Sequence, residues 1–264
     1  DPHSVYLSKE EMKEANEPLQ GNFEGIGVQF SIVNDTIMVV TPTPGGPSEK
    51  LGIMAGDKIV KINGEDATGT KINNNYVVKH LRGTKGTKVT VSIKRNRKAE
   101  LLDFEITRDK IPINSIDATF IASPGIGYIK LNRFGATTIE EFDQSVAKLK
   151  DGGMKNLILD LRGNGGGYLT TAIELADEFL VKDKLVVYTQ GINSSQQKSF
   201  ATTAGDFEKG KLIILIDEGS ASASEIVSGA VQDWDRGIIM GRRSFGKGLV
   251  QRPFNLPDGS VIRL

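Results

Sequence analysis

The stretch KLIILIDEGSASASEIVSGAVQDW, residues 211–234, decides the fold, because it predicts a buried strand, a short polar loop and an amphipathic helix in succession. Residues 212–216 are continuously apolar, as expected of a strand in a sheet that is covered on both faces. The helix carries an apolar stripe between Ile226 and Trp234. Ligands collect beyond the carboxyl ends of the strands in such sheets, so the loop with Ser222 at its centre is a candidate site.

The same alternation of strands and helices continues through residues 109–264 and predicts an α/β core. Further strands are expected at 125–131, 156–161, 185–189 and 237–240, and further helices at 139–150 and 170–180. The glycine-rich loop RGNGGG, residues 162–167, follows one of these strands. Because parallel strands end at one edge of a sheet, this loop should lie beside the serine loop.

Residues 22–108 differ in pattern and predict a separate, mostly β domain with one helix near 71–81. Within it, EGIGVQF, residues 24–30, sets a glycine-flanked apolar turn ahead of a strand. Consecutive amides there could receive the terminal carboxylate of a peptide that adds a strand alongside, and an ordinary hairpin start is the alternative. Residues 1–21 are expected to form a polar lead-in segment.

The composition narrows the classes of function. The 264 residues include 33 Lys plus Arg and 33 Asp plus Glu, so no overall charge attracts nucleic acid or an anionic membrane. The absence of cysteine excludes disulfides, thiolate metal sites and a cysteine nucleophile. The sequence has no apolar run of about 18 residues and no signal-peptide pattern. It lacks an initiator Met and stops inside a strand-like pattern, so we expect a fragment of a longer protein.

Two interpretations compete for Ser222. Together with Glu225 it matches the S-x-x-E capping box, in which the hydroxyl accepts from the backbone N–H three residues on. A serine at a helix start after a buried strand is also well placed as a nucleophile, because the next amide can point at a developing oxyanion. The spacing alone favours capping, and both interpretations need the same backbone.

A nucleophilic serine needs a base, and histidine is the usual one. The two histidines, His3 and His80, lie outside the α/β half, and without an H-E-x-x-H pattern they do not indicate a catalytic zinc. Lys247, between two glycines in RSFGKGLVQ, remains as a base, since an amine kept from water can lose its proton near neutral pH. Gln251 could hold that amine by a hydrogen bond, and a solvated lysine in a glycine turn is the alternative.

Two rival chemistries involve the same segments. GRRSFGKG, residues 241–248, matches the phosphate-loop pattern G-x-x-x-x-G-K-[ST] except at its last position, where Gly248 replaces the hydroxyl residue. A phosphate loop must open a helix, but the two prolines that follow disfavour one. RGNGGG is not a dinucleotide fingerprint, and its alternative use is to lend an amide to an oxyanion hole. Asp160 and Asp217, near strand ends, are expected to be structural.

Taken together, these segments resemble a known family. GIGVQF, GGPSEKLGIMAGDKIVKING and LRGTKGTKVTVSIKR resemble a PDZ domain of the kind inserted in carboxyl-terminal processing proteases. GYIKLNRF, LILDLRGNGGG, GSASASEIVSGAVQD and GRRSFGKGLVQ resemble, in that order, the peptidase core of the same family. The resemblance implies a crotonase-like α/β peptidase core at 109–264 and an inserted, mostly β PDZ domain at 22–108. It also implies a serine endopeptidase that acts on proteins near their C-termini and needs no metal or cofactor.

The resemblance further implies residue roles in the core. The family's nucleophile falls on Ser222, its general base on Lys247 and its supporting glutamine on Gln251. Asp233 matches an acidic position whose role we expect to be secondary. Members of the family continue well past residue 264, so we expect cap and substrate-channel elements to lie outside this sequence.

Backbone amides at two further places follow from the resemblance. The oxyanion hole would use the amide of Ala223 and one amide of the glycine-rich loop, from Gly165 or Gly166, with the choice left open. The carboxylate loop of the PDZ domain falls on four consecutive residues, Gly25, Ile26, Gly27 and Val28. An empty PDZ domain could hold the active site misaligned, so that peptide binding shifts the population toward the competent state.

The expected protein therefore captures a substrate C-terminus with its PDZ domain and cleaves the chain through an acyl-enzyme. Its expected partners are protein or peptide C-termini, without nucleic acid or membrane insertion, and homo-oligomer formation stays open. The resemblance implies an extracytoplasmic location, in a periplasm or cell envelope. The alternatives are a PDZ scaffold with an inactive core, a nucleotide-binding protein and a crotonase-like enzyme that is not a peptidase.

Overall fold

The computed structural model describes residues 4–96, 98–202 and 205–264, which fold as two units with separate hydrophobic cores. The first unit, the core unit, combines the described residues up to Gly21 with Asn114–Leu264, and the second unit spans Asn22–Ile113. The chain therefore leaves the core unit after Gly21 and returns to it at Asn114.

Strands outnumber helices in both units. The helices, in chain order, are α1 (Lys9–Gln20), α2 (Pro47–Lys50), α3 (Asn74–Leu81), α4 (Thr138–Asp151), α5 (Leu169–Asp177) and α6 (Ala223–Asp233). The strands of the second unit are β2 (Asn22–Gly25), β3 (Val28–Val33), β4 (Thr36–Pro42), β5 (Lys58–Ile62), β6 (Glu65–Asp66), β7 (Lys88–Lys94), β8 (Leu102–Thr107) and β9 (Asp109–Pro112). Those of the core unit are β1 (Val5–Leu7), β10 (Ile116–Ser123), β11 (Ile126–Leu131), β12 (Asn156–Asp160), β13 (Leu185–Gly191), β14 (Ser194–Phe200), β15 (Leu212–Ile216), β16 (Ile238–Gly241), β17 (Pro253–Asn255) and β18 (Val261–Arg263).

A five-stranded sheet organises the core unit, in the order β10-β11-β12-β15-β16. Strand β10 runs antiparallel to β11, and the other neighbours are parallel. The apolar residues of the sheet pack with helices α4, α5 and α6 in one core, in which the rings of Phe142 and Phe179 meet edge to face at 5.6 Å. The strands predicted at 125–131, 156–161 and 237–240 are thus confirmed as members of an α/β sheet.

Part of the core unit differs from the sequence-based expectation. The strand predicted at 185–189 does not join the main sheet; it forms β13, which pairs with β14 in a two-stranded hairpin. Only Val186 of β13 is buried, and β14 is almost entirely exposed, which is the pattern of a ribbon rather than of a strand covered on both faces. Strand β10, which the sequence pattern did not indicate, supplies the antiparallel edge of the sheet.

The expected lead-in, residues 1–21, is ordered structure wherever the chain is described. Strand β1 pairs with β18, and helix α1 follows with a capping box in which Ser8 and Glu11 exchange hydrogen bonds. The N–H of Ala136 donates to the carbonyl of Leu19 at 2.7 Å and ties the end of this helix to the core unit. Residues 4–21 are therefore part of the core unit and not a separate segment.

The second unit is built on an antiparallel sheet in the order β3-β4-β5-β7-β8, with β6 paired to β5. Helix α3 begins at Asn74 rather than near residue 71, because the side chain of Asn73 caps it by accepting from the Tyr76 N–H. Strand β9 pairs with β2, so this unit extends to Ile113, beyond the boundary expected at 108. Strand β3 is an edge of the sheet and has an open side in the described part of the unit.

Among the described residues, no helix is both long enough and apolar enough to span a membrane.

Candidate functional site

Ser222 directly precedes α6 in a backbone conformation that few residues adopt. Its φ of 56° and ψ of −110° belong to a region that favours glycine and costs other residues about 1–3 kcal/mol. The surroundings hold it there, since the Ala221 N–H and the Ser224 hydroxyl both donate to the Asn164 carbonyl, at 3.0 and 2.9 Å. These bonds confirm that the serine loop lies against the RGNGGG loop.

Lys247 is joined to the start of α6 through one carboxylate. It lies in residues 242–252, which form neither helix nor strand. Glu225 Oε2 accepts from the backbone N–H of Ser222 at 2.7 Å and from that of Lys247 at 2.9 Å. Because both nitrogens bond one oxygen, they are about 6 Å apart or less. The structure therefore places the backbones of the predicted nucleophile and the predicted base next to each other.

The Lys247 amine is oriented by the residue that the sequence indicated. The side chain is partly buried, and Nζ donates to Gln251 Oε1 at 2.7 Å. Within the described ranges, no hydrogen bond joins Nζ to the hydroxyl of Ser222. In this structure the amine is thus held by Gln251, and it is the backbone N–H of Lys247 that is fixed near Ser222.

The RGNGGG loop is organised by Asn164, which is completely buried. Asn164 Nδ2 donates to the Leu131 carbonyl at 2.9 Å, and Oδ1 accepts from the Gly166 N–H at 2.9 Å. The Gly166 carbonyl in turn accepts from the Phe134 N–H at 3.0 Å. One buried amide side chain therefore fixes the glycine loop to the end of β11.

Gly166 is the glycine that approaches Ser222. A Cβ added at Gly166 would lie 3.0 Å from Ser222 Cβ and 3.1 Å from the Ala223 nitrogen, whereas a Cβ at Gly165 would meet nothing within 4 Å. The amide of Ala223 is in the first helical turn, whose N–H groups have no partner inside the helix. The Gly166 amide is already bonded to Asn164, so the choice between Gly165 and Gly166 for an oxyanion hole stays a prediction.

A cleft of about 420 Å³ opens at the carboxyl ends of the parallel strands, and its lining residues include neither Ser222 nor Lys247. Both loops contribute to its wall, which consists of Lys130, Asp160, Arg162, Gly163, Ile216, Asp217, Gly241 and Arg242. Asp217 ties the two loops together there, because its Oδ1 accepts from the N–H groups of Gly163 and Gly219 at 2.8 and 3.0 Å.

Asp160 is a buried carboxylate on this wall, at the end of β12. It accepts from the Tyr128 hydroxyl at 2.6 Å, from the Arg162 guanidinium at 2.6 Å and from the Arg162 N–H at 2.9 Å. Burial by itself raises the pKa of Asp160, but the hydrogen bonds from Arg162 and Tyr128 outweigh it and hold that pKa well below its ordinary value. Asp160 and Asp217 thus have the structural roles expected of them.

The structure describes two of the three remaining candidates. Asp233 is exposed at the far end of α6, eleven residues on and so about 16 Å along the helix axis. His80 lies in the second unit, where its Nδ1 is 2.7 Å from the Tyr76 carbonyl oxygen, and His3 is outside the described residues. The phosphate-loop alternative is wrong, because no helix follows residues 241–248 in the described chain.

The predicted carboxylate loop of the second unit lies between two strands. Gly25 ends β2, Val28 begins β3, and Gly27 has a φ of +72°. The Ile26 carbonyl accepts from the Ser48 hydroxyl at 2.6 Å, which fixes the loop to α2. The loop therefore stands at the start of the open edge of β3, as strand addition by a peptide requires.

Sequence reasoning misses two structural residues of the site. It treats Asn164 only as part of a glycine-rich loop and Glu225 only as the partner of Ser222 in a capping box. The capping-box spacing does identify the bond from the Ser222 N–H to Glu225. The bonds from Glu225 to the Lys247 segment span about 20 residues of chain, so no local spacing could indicate them.

Two family profiles match parts of this chain. The profile of peptidase family S41 matches residues 125–264, more than half of the chain. The chain belongs to peptidase family S41. A PDZ-domain profile matches residues 25–106. The S41 match includes both loops of the candidate site, the PDZ match includes the loop at Gly25–Val28, and the resemblance drawn from the sequence is confirmed.

Relatives of this S41 chain are named as serine or carboxy-terminal processing proteases. A probable CtpA-like serine protease of Staphylococcus aureus (strain N315) is 37% identical over all of this chain, and the carboxy-terminal processing protease CtpB of Bacillus subtilis (strain 168) is 34% identical over all of it. The alignments cover 52% and 55% of those proteins, so the chain spans about half the length of the curated relatives it matches.

Two solved structures of proteases share the fold of this chain. The photosystem II D1 C-terminal processing protease matches with a TM-score of 0.55 and 30% identity, over 100% of this chain and 72% of that one. The tricorn protease matches with a TM-score of 0.54 and 21% identity, over 91% of this chain and 24% of its own, which indicates a common fold alone.

Proposed function

We propose that this chain is part of a serine endopeptidase that cleaves proteins near their C-termini. Ser222 is the nucleophile, Lys247 is the general base, and Gln251 orients the lysine amine. The Ala223 amide and an amide of Gly165 or Gly166 form the oxyanion hole. The PDZ domain captures the C-terminal end of the substrate along the open edge of β3, and the protein works in an extracytoplasmic compartment.

One observation carries this proposal: a single carboxylate oxygen of Glu225 binds the backbone N–H groups of both Ser222 and Lys247. Two segments that are 25 residues apart in sequence therefore meet at the start of one helix. The names of the relatives support the substrate class, because the Bacillus subtilis and photosystem II D1 proteins are called C-terminal processing proteases.

The chemistry follows from these positions. The uncharged Lys247 amine takes the proton of the Ser222 hydroxyl as Oγ attacks the scissile carbonyl carbon. The negative charge on the carbonyl oxygen is stabilised by the two backbone amides. Collapse of the tetrahedral intermediate breaks the C–N bond, and the lysine returns the proton to the leaving amine. Water, deprotonated by the same amine, then hydrolyses the acyl-enzyme and restores the serine.

Cleavage of an unstructured protein by the intact protein, by Ser222→Ala and by Lys247→Ala tests the proposal. Either substitution should reduce the rate by at least about 10³-fold, because the two side chains act as one unit. Near-normal cleavage by either variant would overturn the mechanism.

A PDZ scaffold with an inactive peptidase core is the second candidate function. The absence of a hydrogen bond from Lys247 Nζ to the Ser222 hydroxyl, in the part of the chain described, favours it. A fluorophosphonate probe separates the two functions, because it reacts with an activated serine. Labelling of the intact protein but not of Ser222→Ala supports the peptidase, and no labelling of either supports the scaffold.

A further inference from the structure

Glu225 has contacts that exceed what a helix cap needs. It is in the first turn of α6, its side chain is partly buried, and its two oxygens receive four hydrogen bonds. The Ser222 N–H and the Lys247 N–H donate to Oε2, as described above. The Ser244 hydroxyl and the Gly246 N–H donate to Oε1, at 2.7 and 2.6 Å. A cap would require only the first of these bonds.

Three of the four donors belong to residues 244–247, a segment without helix or strand structure. One other backbone bond holds this segment to the serine loop, from the Phe245 N–H to the Ser220 carbonyl at 3.0 Å. The position of the Lys247 backbone relative to α6 thus depends mainly on the Glu225 carboxylate.

The chemistry of the site favours a carboxylate over an amide at this position. Four donors occupy both oxygens of Glu225, and an ionised carboxylate offers acceptors only. Burial by itself raises the pKa of Glu225, but the bonds from Ser244, Ser222, Gly246 and Lys247 outweigh it and keep that pKa below its ordinary value. A glutamine would turn an NH₂ group toward two of these donors and lose their bonds.

We propose that Glu225 is a positioning residue that sets where the Lys247 amine meets the Ser222 hydroxyl. The inference rests on the proposed function, because it concerns the same pair of residues. Glu225 does not touch substrate; it acts through the backbone of the segment that carries the base. Its loss should therefore weaken the activation of Ser222 while substrate capture is unchanged.

Glu225→Gln in the intact protein is the direct test, and Glu141→Gln is its matched control. Glu141 is also in the first turn of a helix of the core unit, α4, and also accepts several bonds. Its carboxylate binds the N–H groups of Ser115 and Ile116 at 2.8 and 3.0 Å and the Thr137 hydroxyl at 2.6 Å. The control thus loses a comparable hydrogen-bond network that does not involve Ser222 or Lys247.

We expect Glu225→Gln to lower kcat about 100-fold, as misplacement of a catalytic group by about 1 Å can do, with KM changed less than roughly twofold. Fluorophosphonate labelling of Ser222 should slow by a similar factor. Glu225→Asp keeps the charge and should recover part of both rates. Glu141→Gln should lower thermal stability but leave the labelling rate per folded molecule unchanged.

Ser244→Ala provides a milder variant should Glu225→Gln fold poorly. It removes one donor to Oε1 and should slow labelling several-fold in the native background. In the Glu225→Gln background its effect should be smaller than in the native background, because the hydrogen-bond network around position 225 is already weakened. Equal labelling rates for Glu225→Gln and wild type would overturn the inference, as would equal loss in Glu141→Gln. Full activity of Ser222→Ala or Lys247→Ala would instead overturn the proposed function.

Discussion

At the scale of single residues, the approach of the two site loops depends on a missing side chain at Gly166. Its φ is +100°, and an added Cβ would lie 2.8 Å from the Ala221 carbonyl oxygen and 3.0 Å from Ser222 Cβ. An alanine at position 166 would therefore suffer both a steric clash of its methyl group and a strained φ angle. Gly165, its neighbour, has open space instead.

We predict that Gly166→Ala lowers the free energy of unfolding by about 2 kcal/mol or more, because strain and overpacking add. It should also slow fluorophosphonate labelling of Ser222, since the loops are pushed apart. Urea unfolding and the labelling rate measure the two effects. Gly165→Ala is the control and should change stability little; equal destabilisation by both alanines would contradict the structure.

The individual site residues can be predicted from sequence only where a motif is complete. Ser222, Lys247 and Gln251 are candidates because of a strand–loop–helix pattern and a lysine between glycines, and their catalytic roles come from the family resemblance and stay predictions. Asn164 is not found, since its buried bonds to Leu131 and Gly166 exist only after β11 and the glycine loop have packed.

At the scale of elements, continuous apolar runs predict the central strands well, and mixed patterns do not. Strands β12 and β15 are recognised because each contains an uninterrupted apolar run, LIL in β12 and LIILI in β15. Most residues of the ribbon β13–β14 and of the edge strand β10 are partly or fully exposed. The strands with which they pair are determined by tertiary contacts. Helix α1 carries a readable signal, the Ser8–Glu11 capping box, which the polar composition of the segment obscures.

The end of β12 yields a pH-dependent prediction. The pKa of Asp160 is lowered in the folded state, so its stabilisation is complete above the unfolded pKa of about 3.9 and is lost as pH falls through the folded value. Asp160→Asn should cost about 2 kcal/mol at pH 7, from lost hydrogen bonds to a charged group.

Urea unfolding at an acidic pH near that unfolded pKa, compared with neutral pH, measures the difference. The gap between wild type and Asp160→Asn should shrink on acidification, where the wild-type carboxylate begins to lose its advantage. Tyr128→Phe removes only one of the bonds and is the milder control. A gap that widens on acidification would show that the ionised form of Asp160 is not what stabilises the fold.

At the scale of the whole molecule, the chain consists of an S41 core unit and a PDZ unit, each with its own core. The sequence indicates both units through a change of pattern near residue 108. It cannot place the return to the core unit at Asn114, because β9 pairs with β2 from the opposite end of the PDZ unit's sequence.

Gly27→Ala tests the capture step. Its φ of +72° strains any residue with a Cβ, and an added Cβ would lie 2.9 Å from Ile111 Cδ1, so either the carboxylate loop or the Ile111 side chain must shift. We predict at least about tenfold weaker binding of a C-terminal peptide and slower cleavage of a protein bearing that C-terminus. Fluorescence polarisation and a cleavage assay measure these effects.

Gly52→Ala is the control for Gly27→Ala, because it has a similar φ of +81° with nothing within 4 Å of the added Cβ. It should leave both readouts unchanged. A cleavage rate unaffected by Gly27→Ala, with peptide binding lost, would show that capture and regulation by the PDZ domain do not control the reaction.

The left-handed backbone at Ser222 has a consequence for how this chain tolerates substitution. A sequence selected for folding alone would gain by placing glycine at that position, since glycine adopts the same angles without penalty. The serine therefore lowers the stability of the folded chain, and the rest of the S41 core must compensate for the strain. Variants that weaken the core elsewhere should be tolerated better when position 222 is glycine, at the expense of the hydroxyl.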